Sequence, residues 1–500
     1  MNTKLLTSNN NDLKTAADII RSGGTVVFPT ETVYGIGADA LKPEAVKKIF
    51  EAKGRPADNP LIVHVWNKEQ INDIAAEIPA GAKLLIDKFM PGPLTVILKR
   101  RPEIPDVVTA GLNTVGIRMP ENKIAARFLE LANCPVAAPS ANLSGKPSPT
   151  RYEHCVDDMN GRVGAIIDGG DCNIGIESTV IDMSGDPVIY RPGDVSREQI
   201  EKVLGAEVKV AVSVQEGEKP KSPGLKYKHY SPNGRVVVLR GGLDDVINCI
   251  NSQSEKCGVI LFDEILKEIE SKLKEGVHCV SLGGIDKPEE AATELFAALR
   301  DMDKFGAEII FAPEIPDSDK WAGVRNRLYR AAGNEVYDAA EFASHAVDSD
   351  ANERQCILFV CTGNTCRSPM AEGLFNCLAK ESGLNYTAKS AGLFVMPGSK
   401  VSQNSVTAMA EEGIDISGHI PAQINLDLIN ESDLILTMSE SHKQAIQTVA
   451  PKATVCTLSE YAGEESDISD PFGGSEQVYR ECGAQIKDRI EKIIKRLQDD

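Results

Sequence analysis

No run of apolar residues in this 500-residue chain approaches the roughly 20 that a membrane-crossing helix needs. The first residues, Met1-Asn-Thr-Lys-Leu-Leu-Thr-Ser8, lack the apolar core of a secretory signal. A cytoplasmic protein without a membrane partner is expected. The 12 cysteines form no Cys-x-x-Cys pair and no His/Cys cluster at zinc spacing, so neither a disulfide framework nor a structural metal is expected. A Gly-x-x-x-x-Gly-Lys-Ser/Thr loop is missing, which excludes a nucleotide held in the Walker manner. Basic charge is not in excess either. Residues 1–236 carry 29 basic and 29 acidic side chains, and the net charge of −19 arises beyond them. That balance, without an aromatic-basic stripe, speaks against tight direct binding of nucleic acid, while a local basic groove stays open.

What is present is ordinary globular composition, 42% hydrophobic and 25% charged, long enough for two to four domains. The most legible stretch is Ile357-Leu-Phe-Val360, then Cys361-Thr362-Gly363-Asn364-Thr365-Cys366-Arg367, then Ser368-Pro369. An apolar run hands over to a glycine-containing loop opened by cysteine and closed by arginine. Ser368 suits an N-cap and Pro369 the first helical position, so a helix is expected to begin where the loop ends. Its free N–H groups and dipole favour an anion. That field is expected to lower the pKa of Cys361 and yield a thiolate nucleophile, while Arg367 grips two phosphoryl oxygens. The competing reading is a small core cysteine at a strand end. The strand before and the Ser-Pro after weigh against it.

Towards the N-terminus, residues 11–22 read as a helix, 25–30 as a β-rich run, 31–37 as a loop with two glycines, 43–52 as a helix and 61–65 as a strand. Apolar runs at 94–98, 115–118, 136–138, 165–167 and 178–182 add strands with few long helices between them. An α/β domain with a large mixed, curved sheet is expected. Lys53 and Arg55 stand two apart, as do Ser140 and Asn142, and in extended chain that spacing points both to one side. With Arg118, Arg191 and His64 they predict a cationic anion or nucleotide site, against the alternative of solvated surface cations.

These residues belong to an ordered set: Pro29-Thr-Glu-Thr-Val-Tyr-Gly35, Lys53-Gly-Arg55, Asn59-Pro60, Pro91-Gly-Pro93, Gly116-Ile-Arg-Met-Pro120, Ser140-Ala-Asn142, Ser178-Thr179 and Arg191-Pro-Gly193. The set closely resembles the YrdC-type threonylcarbamoyl-adenylate synthases. The resemblance implies that L-threonine, bicarbonate and ATP give L-threonylcarbamoyl-adenylate and pyrophosphate. It implies a threonine site at Thr32, His64, Arg118 and Ser178. It implies an ATP site at Lys53, Arg55, Asn59, Thr114, Ser140, Asn142, Ser148 and Arg191, with magnesium accompanying the triphosphate. The activated group is destined for the adenosine beside the anticodon of certain tRNAs, transferred by a separate tRNA-modifying transferase complex. An RNA-binding regulatory module is the alternative for this region.

The synthase domain is expected over 1–214 and a linker over 215–234, polar and turn-rich. In longer synthases a segment like Ser222-Pro-Gly-Leu-Lys-Tyr-Lys-His-Tyr230 lies over the active site, which implies that Tyr230 or His229 touches the nucleotide; a solvated tether is the other reading. Residues 235–345 alternate strand and helix as a small α/β unit, with helices from Leu243, up to Lys274 and over Pro288–Phe305. Asn326-Arg-Leu-Tyr-Arg-Ala-Ala-Gly333 resembles the close of the long-form synthases' accessory domain, whose implied work is closing over or steadying the first.

After a second linker, 346–354, residues 355–500 resemble the low-molecular-weight protein tyrosine phosphatases, which implies a parallel sheet with helices on both faces. Asp470-Pro471 stands where that family carries its general acid. The implied mechanism is attack by Cys361, a phosphocysteine held by Arg367 and the loop N–H groups, protonation of the leaving group by Asp470, then hydrolysis without a cofactor. Asn364 and Ser368 are expected to keep the loop and thiolate in register. Tyrosine-specific members carry a bulky aliphatic residue where Thr365 stands and a Tyr-rich stretch where this chain has Phe472-Gly-Gly-Ser475. The constellation resembles the protein-arginine phosphatase branch, which implies arginine-phosphorylated proteins as substrates; phosphotyrosine is the alternative. Cys366 either pairs reversibly with Cys361 or is an inert buried thiol. An arsenate reductase needs further redox cysteines, and Cys456 and Cys482 do not form the expected pair.

Overall fold

The structure, a computed structural model, describes residues 2–55, 59–211, 230–334, 336–340, 342, 355–396, 399–425, 428–429, 432–451 and 453–499. It separates into two compact units, residues 1–347 and 348–500. The linker expected at 346–354, and most of that at 215–234 including His229, lie outside the described residues.

Short buried runs in the first unit form β1 (Lys4–Leu6), β2 (Val26–Phe28), β3 (Gly35–Asp39), β4 (Ile62–His64), β5 (Leu94–Lys99) and β6 (Thr114–Arg118). They continue as β7 (Val136–Ala137), β8 (Ala165–Ile167), β9 (Thr179–Asp182), β10 (Val188–Arg191) and β11 (Lys209–Val210). One mixed sheet holds them in the order β1-β8-β2-β3-β7-β4-β6-β5-β9-β10-β11. Successive residues face opposite sides of a strand. Val26 and Phe28 pack with the helices Asn10–Arg21 and Lys123–Ala132, while Val27 packs with the helix Pro43–Lys53. Burial on both faces is why these strands read as continuous apolar runs.

The expected loop over 31–37 is corrected at its end, where Gly35 begins β3. The glycines there serve packing. A Cβ on Gly37 would lie 2.6 Å from Val136 Cγ1 and 2.9 Å from Phe28 Cε1. A glycine that permits close approach looks in sequence like one that permits a turn.

From residue 235 onward, β12 (Arg235–Arg240), β13 (Cys257–Leu261), β14 (His278–Ser281), β15 (Ile309–Pro313) and β16 (Val336–Asp338) form a parallel sheet ordered β14-β13-β15-β12-β16. The helix expected to reach Lys274 ends at Ile269 and tightens into a 3-10 turn, Glu270–Lys272. Strand β16 has no sequence signature: three half-buried residues held by pairing to Val238–Arg240.

In the second unit β17 (Gln355–Cys361), β18 (Tyr386–Gly392), β19 (Leu434–Thr437) and β20 (Val455–Thr457) form a parallel sheet ordered β18-β17-β19-β20. Ile357, Phe359 and Cys361 face one apolar cluster, with the helices Arg367–Glu381 and Glu476–Asp499. Leu358 and Val360 face another, with Ile446 of the helix Glu440–Val449. Both faces are therefore covered. The inner position of β17 brings Cys361 to the carboxyl edge of the sheet, where ligands of open α/β sheets bind.

Candidate active sites

A cavity of about 750 Å³, counting its open mouth, lies against the first sheet. Its wall includes Lys53, Arg55, His64, Arg118, Ser140, Asn142, Ser148, Ser178, Arg191 and Tyr230. The route to the wall differs from expectation for both pairs, since neither lies in extended chain and residues 141–142 form a bend. Lys53 is the last residue of the helix Pro43–Lys53, not part of an extended strand, and Gly54 (φ 61°) turns the chain so that Arg55 follows it to the cavity. The Lys53 ammonium is buried and already engaged: Nζ donates to the carbonyls of Ser140 (2.5 Å) and Asn142 (2.7 Å). Burial, with Arg55 beside it, pushes its pKa well below that of an ordinary lysine. Lys53 thus acts first as a strut that shapes the Ser140–Asn142 turn.

Arg118 Nη2 donates to Glu31 Oε1 at 2.6 Å, both side chains being buried. His64 lies beyond it on the neighbouring strand. Burial, then the Arg118 charge, takes the His64 pKa down to about 3, so a neutral imidazole faces the cavity. Ser178 Oγ lies 2.8 Å from Thr95 Oγ1 and accepts from Arg191 Nη2 at 3.2 Å. Ser148 donates to Glu177 Oε1 at 2.5 Å, which leaves its oxygen lone pairs for a ligand. Tyr230, with φ 67°, packs its ring 5.1 Å from that of Phe296.

Three expected contacts stand off the wall. Thr32 is buried behind Thr30, whose hydroxyl lies 2.8 Å away and does face the cavity. Thr114 opens β6, paired with Lys99. Asn59 is fully buried, its side-chain amide without a partner among the described residues. Sequence reasoning missed Thr30, Lys146 and Glu177 on the wall, and Glu31 behind Arg118. The available signal was a carboxylate inside each of two apolar contexts, beside Thr30 and Ser178, since a buried charge needs a cationic partner.

The second constellation lies at the end of β17. Cys361 Sγ is buried, 3.0 Å from Ser368 Oγ, and accepts the Asn364 N–H at 3.2 Å. Asn364 holds the loop in a left-handed turn (φ 52°). Its Nδ2 donates to Ser368 Oγ (2.9 Å) and Ser390 Oγ (2.8 Å), and its Oδ1 accepts the Ala422 N–H (2.7 Å). The N-cap expectation is corrected: the helix runs Arg367–Glu381 with Cys366 at its cap. Ser368 cannot cap because its hydroxyl is committed to Cys361 and Asn364. Pro369 falls third in the helix, where a missing N–H still removes a donor that has no intrahelical partner. Thr362 Oγ1 lies 2.9 Å from Nε2 of His442, a histidine whose pKa is lowered by burial and then by Arg367.

Arg367 donates to Asp470 Oδ2 at 2.6 Å and to the Ile468 carbonyl at 3.2 Å. Its guanidinium is buried while Asp470 is half exposed. The acid therefore occupies the place on the arginine that a phosphoryl oxygen would take. Thr365 and Gly363 of the loop are half-buried, with Thr365 Oγ1 3.5 Å from Cys366 Sγ. Phe472 is 80% exposed, and Gly473 (φ 77°) and Gly474 follow it as small residues after the acid. Cys366 Sγ lies 3.3 Å from the Tyr479 hydroxyl. Cys482 is buried, which takes its thiol up to about 12, unsuited to redox exchange.

Against known families, residues 18–193 match the model described as "Telomere recombination" and residues 195–333 that of the threonylcarbamoyl-AMP synthase C-terminal domain. Residues 356–500 match the low molecular weight phosphotyrosine protein phosphatases. The threonylcarbamoyl-AMP synthase of Pyrococcus abyssi is 45% identical over 334 residues, 65% of this chain and 95% of that protein. The protein-arginine-phosphatase of Bacillus subtilis is 40% identical over 147 residues, 29% of this chain and 97% of that protein. The chain belongs to the threonylcarbamoyl-AMP synthase and low-molecular-weight protein phosphatase families, fused. The solved structure of P. abyssi Sua5 complexed with L-threonine superposes with a TM-score of 0.62 at 42% identity, covering 68% of this chain and 99% of that one.

The synthase portion thus includes both the mixed sheet with its cavity and the parallel sheet that follows. The phosphatase portion holds the Cys361 loop and Asp470 entire. Among the described residues no helix is long and apolar enough to cross a membrane.

Proposed function

We propose that the synthase portion makes L-threonylcarbamoyl-adenylate from L-threonine, bicarbonate and ATP, and that the phosphatase portion hydrolyses phosphoarginine in proteins. The first reading rests on a cavity lined by Arg55, Arg118, Lys146 and Arg191 in a chain 45% identical to a threonylcarbamoyl-AMP synthase. The threonine in the related structure supports that amino acid as substrate.

Bicarbonate and the threonine amine lose water to form a carbamate. Its oxygen attacks the α-phosphorus, the bond to the β-phosphate breaks, and pyrophosphate leaves with the electron pair. No covalent enzyme intermediate is needed; the residues contribute position and positive charge. Arg118, steadied by Glu31 beside a neutral His64, suits the threonine carboxylate. Arg55, Lys146 and Arg191 suit the triphosphate. Magnesium would neutralise part of the triphosphate charge. Glu177, the carboxylate on the described wall, is engaged by Arg327 and Ser148, so phosphate oxygens and water suit the ion as ligands. The mixed anhydride is an activated carbamoyl donor, consumed by a tRNA-modifying transferase complex in the cytoplasm. The decisive assay is pyrophosphate release from ATP on adding threonine and bicarbonate without RNA. A requirement for RNA would favour an RNA-binding module instead.

For the phosphatase, the carrying observation is the Cys361 sulfur facing the Asn364 N–H and Ser368, with Arg367 and Asp470 paired beside it. An incoming phosphoryl group takes Arg367 from Asp470. Asp470, released from Arg367, takes up the proton of the Cys361 thiol. The thiolate displaces the leaving nitrogen, which takes that proton from Asp470. Water next cleaves the phosphocysteine, with Asp470 accepting a proton from the water and the thiolate leaving phosphorus with the electron pair. Small, half-buried Thr365 and a carboxylate at the rim suit a slender guanidinium better than a phenol, and the arginine-phosphatase relative supports that choice.

A further inference from the structure

The largest fully buried side chain among the described residues is an arginine, Arg327, at 0% exposure on the helix Ala322–Ala331 of the accessory portion. A guanidinium so placed must find acceptors. Its Nε donates to Glu177 Oε2 (2.9 Å), its Nη2 to the Glu177 carbonyl (3.1 Å), and its Nη1 to the Pro192 carbonyl. Glu177 and Pro192 are the chain neighbours of Ser178 and Arg191, which face the cavity. The other Glu177 oxygen holds Ser148, a third cavity residue. One side chain from the accessory portion thereby fixes two backbone segments and one hydroxyl of the synthase cavity without lining it. The helix comes close enough because residue 323 is glycine: a Cβ there would lie 2.6 Å from Ile176 Cδ1.

We infer that Arg327 is a positioning residue of the synthase reaction, through which the accessory portion sets the geometry of the ATP site rather than merely covering it. This rests on the synthase reading for what the cavity binds. The fork matters as well as the charge. A lysine would satisfy Glu177 as a point charge but cannot hold a carboxylate and two carbonyls on separate segments in a fixed plane. Without a cation at 327, Glu177 is a buried negative charge beside the triphosphate.

The test is ATP affinity of the full chain by calorimetry for wild type, Arg327→Lys and Arg327→Ala. In Arg327→Lys the dissociation constant for ATP is expected to rise about ten-fold, and the KM for ATP in pyrophosphate release by the same factor. The thermal midpoint of Arg327→Lys falls, so both chains are compared at a temperature where their tryptophan signal is native. There the KM for ATP rises while kcat stays near wild type, a split that a merely structural role, which lowers the active fraction and hence kcat, would not produce. Arg327→Ala loses more; where it fails to fold, Arg327→Lys decides. Wild-type ATP affinity in Arg327→Lys overturns the inference. A wild-type chain that binds ATP but releases no pyrophosphate with threonine overturns the synthase reading, while the affinity comparison still judges Arg327.

Discussion

Two buried histidines give the synthase portion a pH dependence. His64 and His154 are each brought to a pKa of about 3, by burial first and by nearby arginine next, Arg118 and Arg300 respectively. His154 Nδ1 accepts the Thr150 N–H at 3.3 Å, a bond that a proton on that nitrogen would break. Unfolded, each titrates near 6.5. Between pH 6.5 and 3 the unfolded chain binds protons that the folded chain refuses, so stability is full above 6.5 and falls as pH drops through that window. At pH 5 the loss is up to about 2 kcal/mol for each histidine. The two tryptophans, Trp66 and Trp321, both lie in this portion, so urea unfolding at pH 7 and pH 5 by tryptophan fluorescence reads it directly. His154→Gln should remove about half of the difference; an unchanged slope would show that His154 is not a source. Thr365 carries a second prediction at this scale. Thr365→Ile, adding bulk and removing a hydroxyl, should lower the ratio of phosphoarginine to phosphotyrosine turnover. A constant ratio would remove Thr365 from the discrimination.

Among elements, the two halves of the synthase portion meet through buried charge. Arg300 of the helix Pro288–Phe305 donates to Asp158 (2.7 Å), of the helix Tyr152–Met159, and to the Pro147 carbonyl (2.6 Å). Removing the arginine strands a carboxylate that is only 4% exposed. Arg300→Ala is expected to cost about 3–5 kcal/mol in urea unfolding, and Arg300→Met with Asp158→Asn to recover most of it. A neutral single variant would mean that water reaches Asp158. Helices with proline near the start and glycine past the end, such as Pro43–Lys53 and Pro288–Phe305, were legible in sequence because both signals are local. So were strands buried on both faces. Strands β3, β16 and β20 were not: β3 is made largely of small residues, and β16 and β20 are three residues long, so pairing rather than an apolar run identifies them. The same holds for the sites. Cys361, Arg367, Asp470 and most cavity cations follow from residue type and spacing, whereas the Glu177–Arg327 pair spans 150 positions with no local mark. Ser368 misled as a cap because its hydroxyl serves Cys361 instead.

At the scale of the whole chain, the two chemistries ask for different surroundings. The cavity proposed for adenylation gathers cations in a stretch whose overall charge is balanced, and the acidity of the chain lies beyond residue 236. The phosphatase loop needs only one arginine, a helix start and a thiolate. The candidate groups proposed for each reaction lie within one unit, the cavity in the first and the Cys361 loop in the second, so the central claim is that one polypeptide carries two separable activities. It is tested by measuring pyrophosphate release and phosphoarginine hydrolysis on the full chain, on Arg55→Ala and on Cys361→Ser. Arg55→Ala should lose pyrophosphate release and keep phosphatase turnover, and Cys361→Ser should do the reverse. Full pyrophosphate release by Arg55→Ala, or phosphate release surviving in Cys361→Ser, would contradict the account.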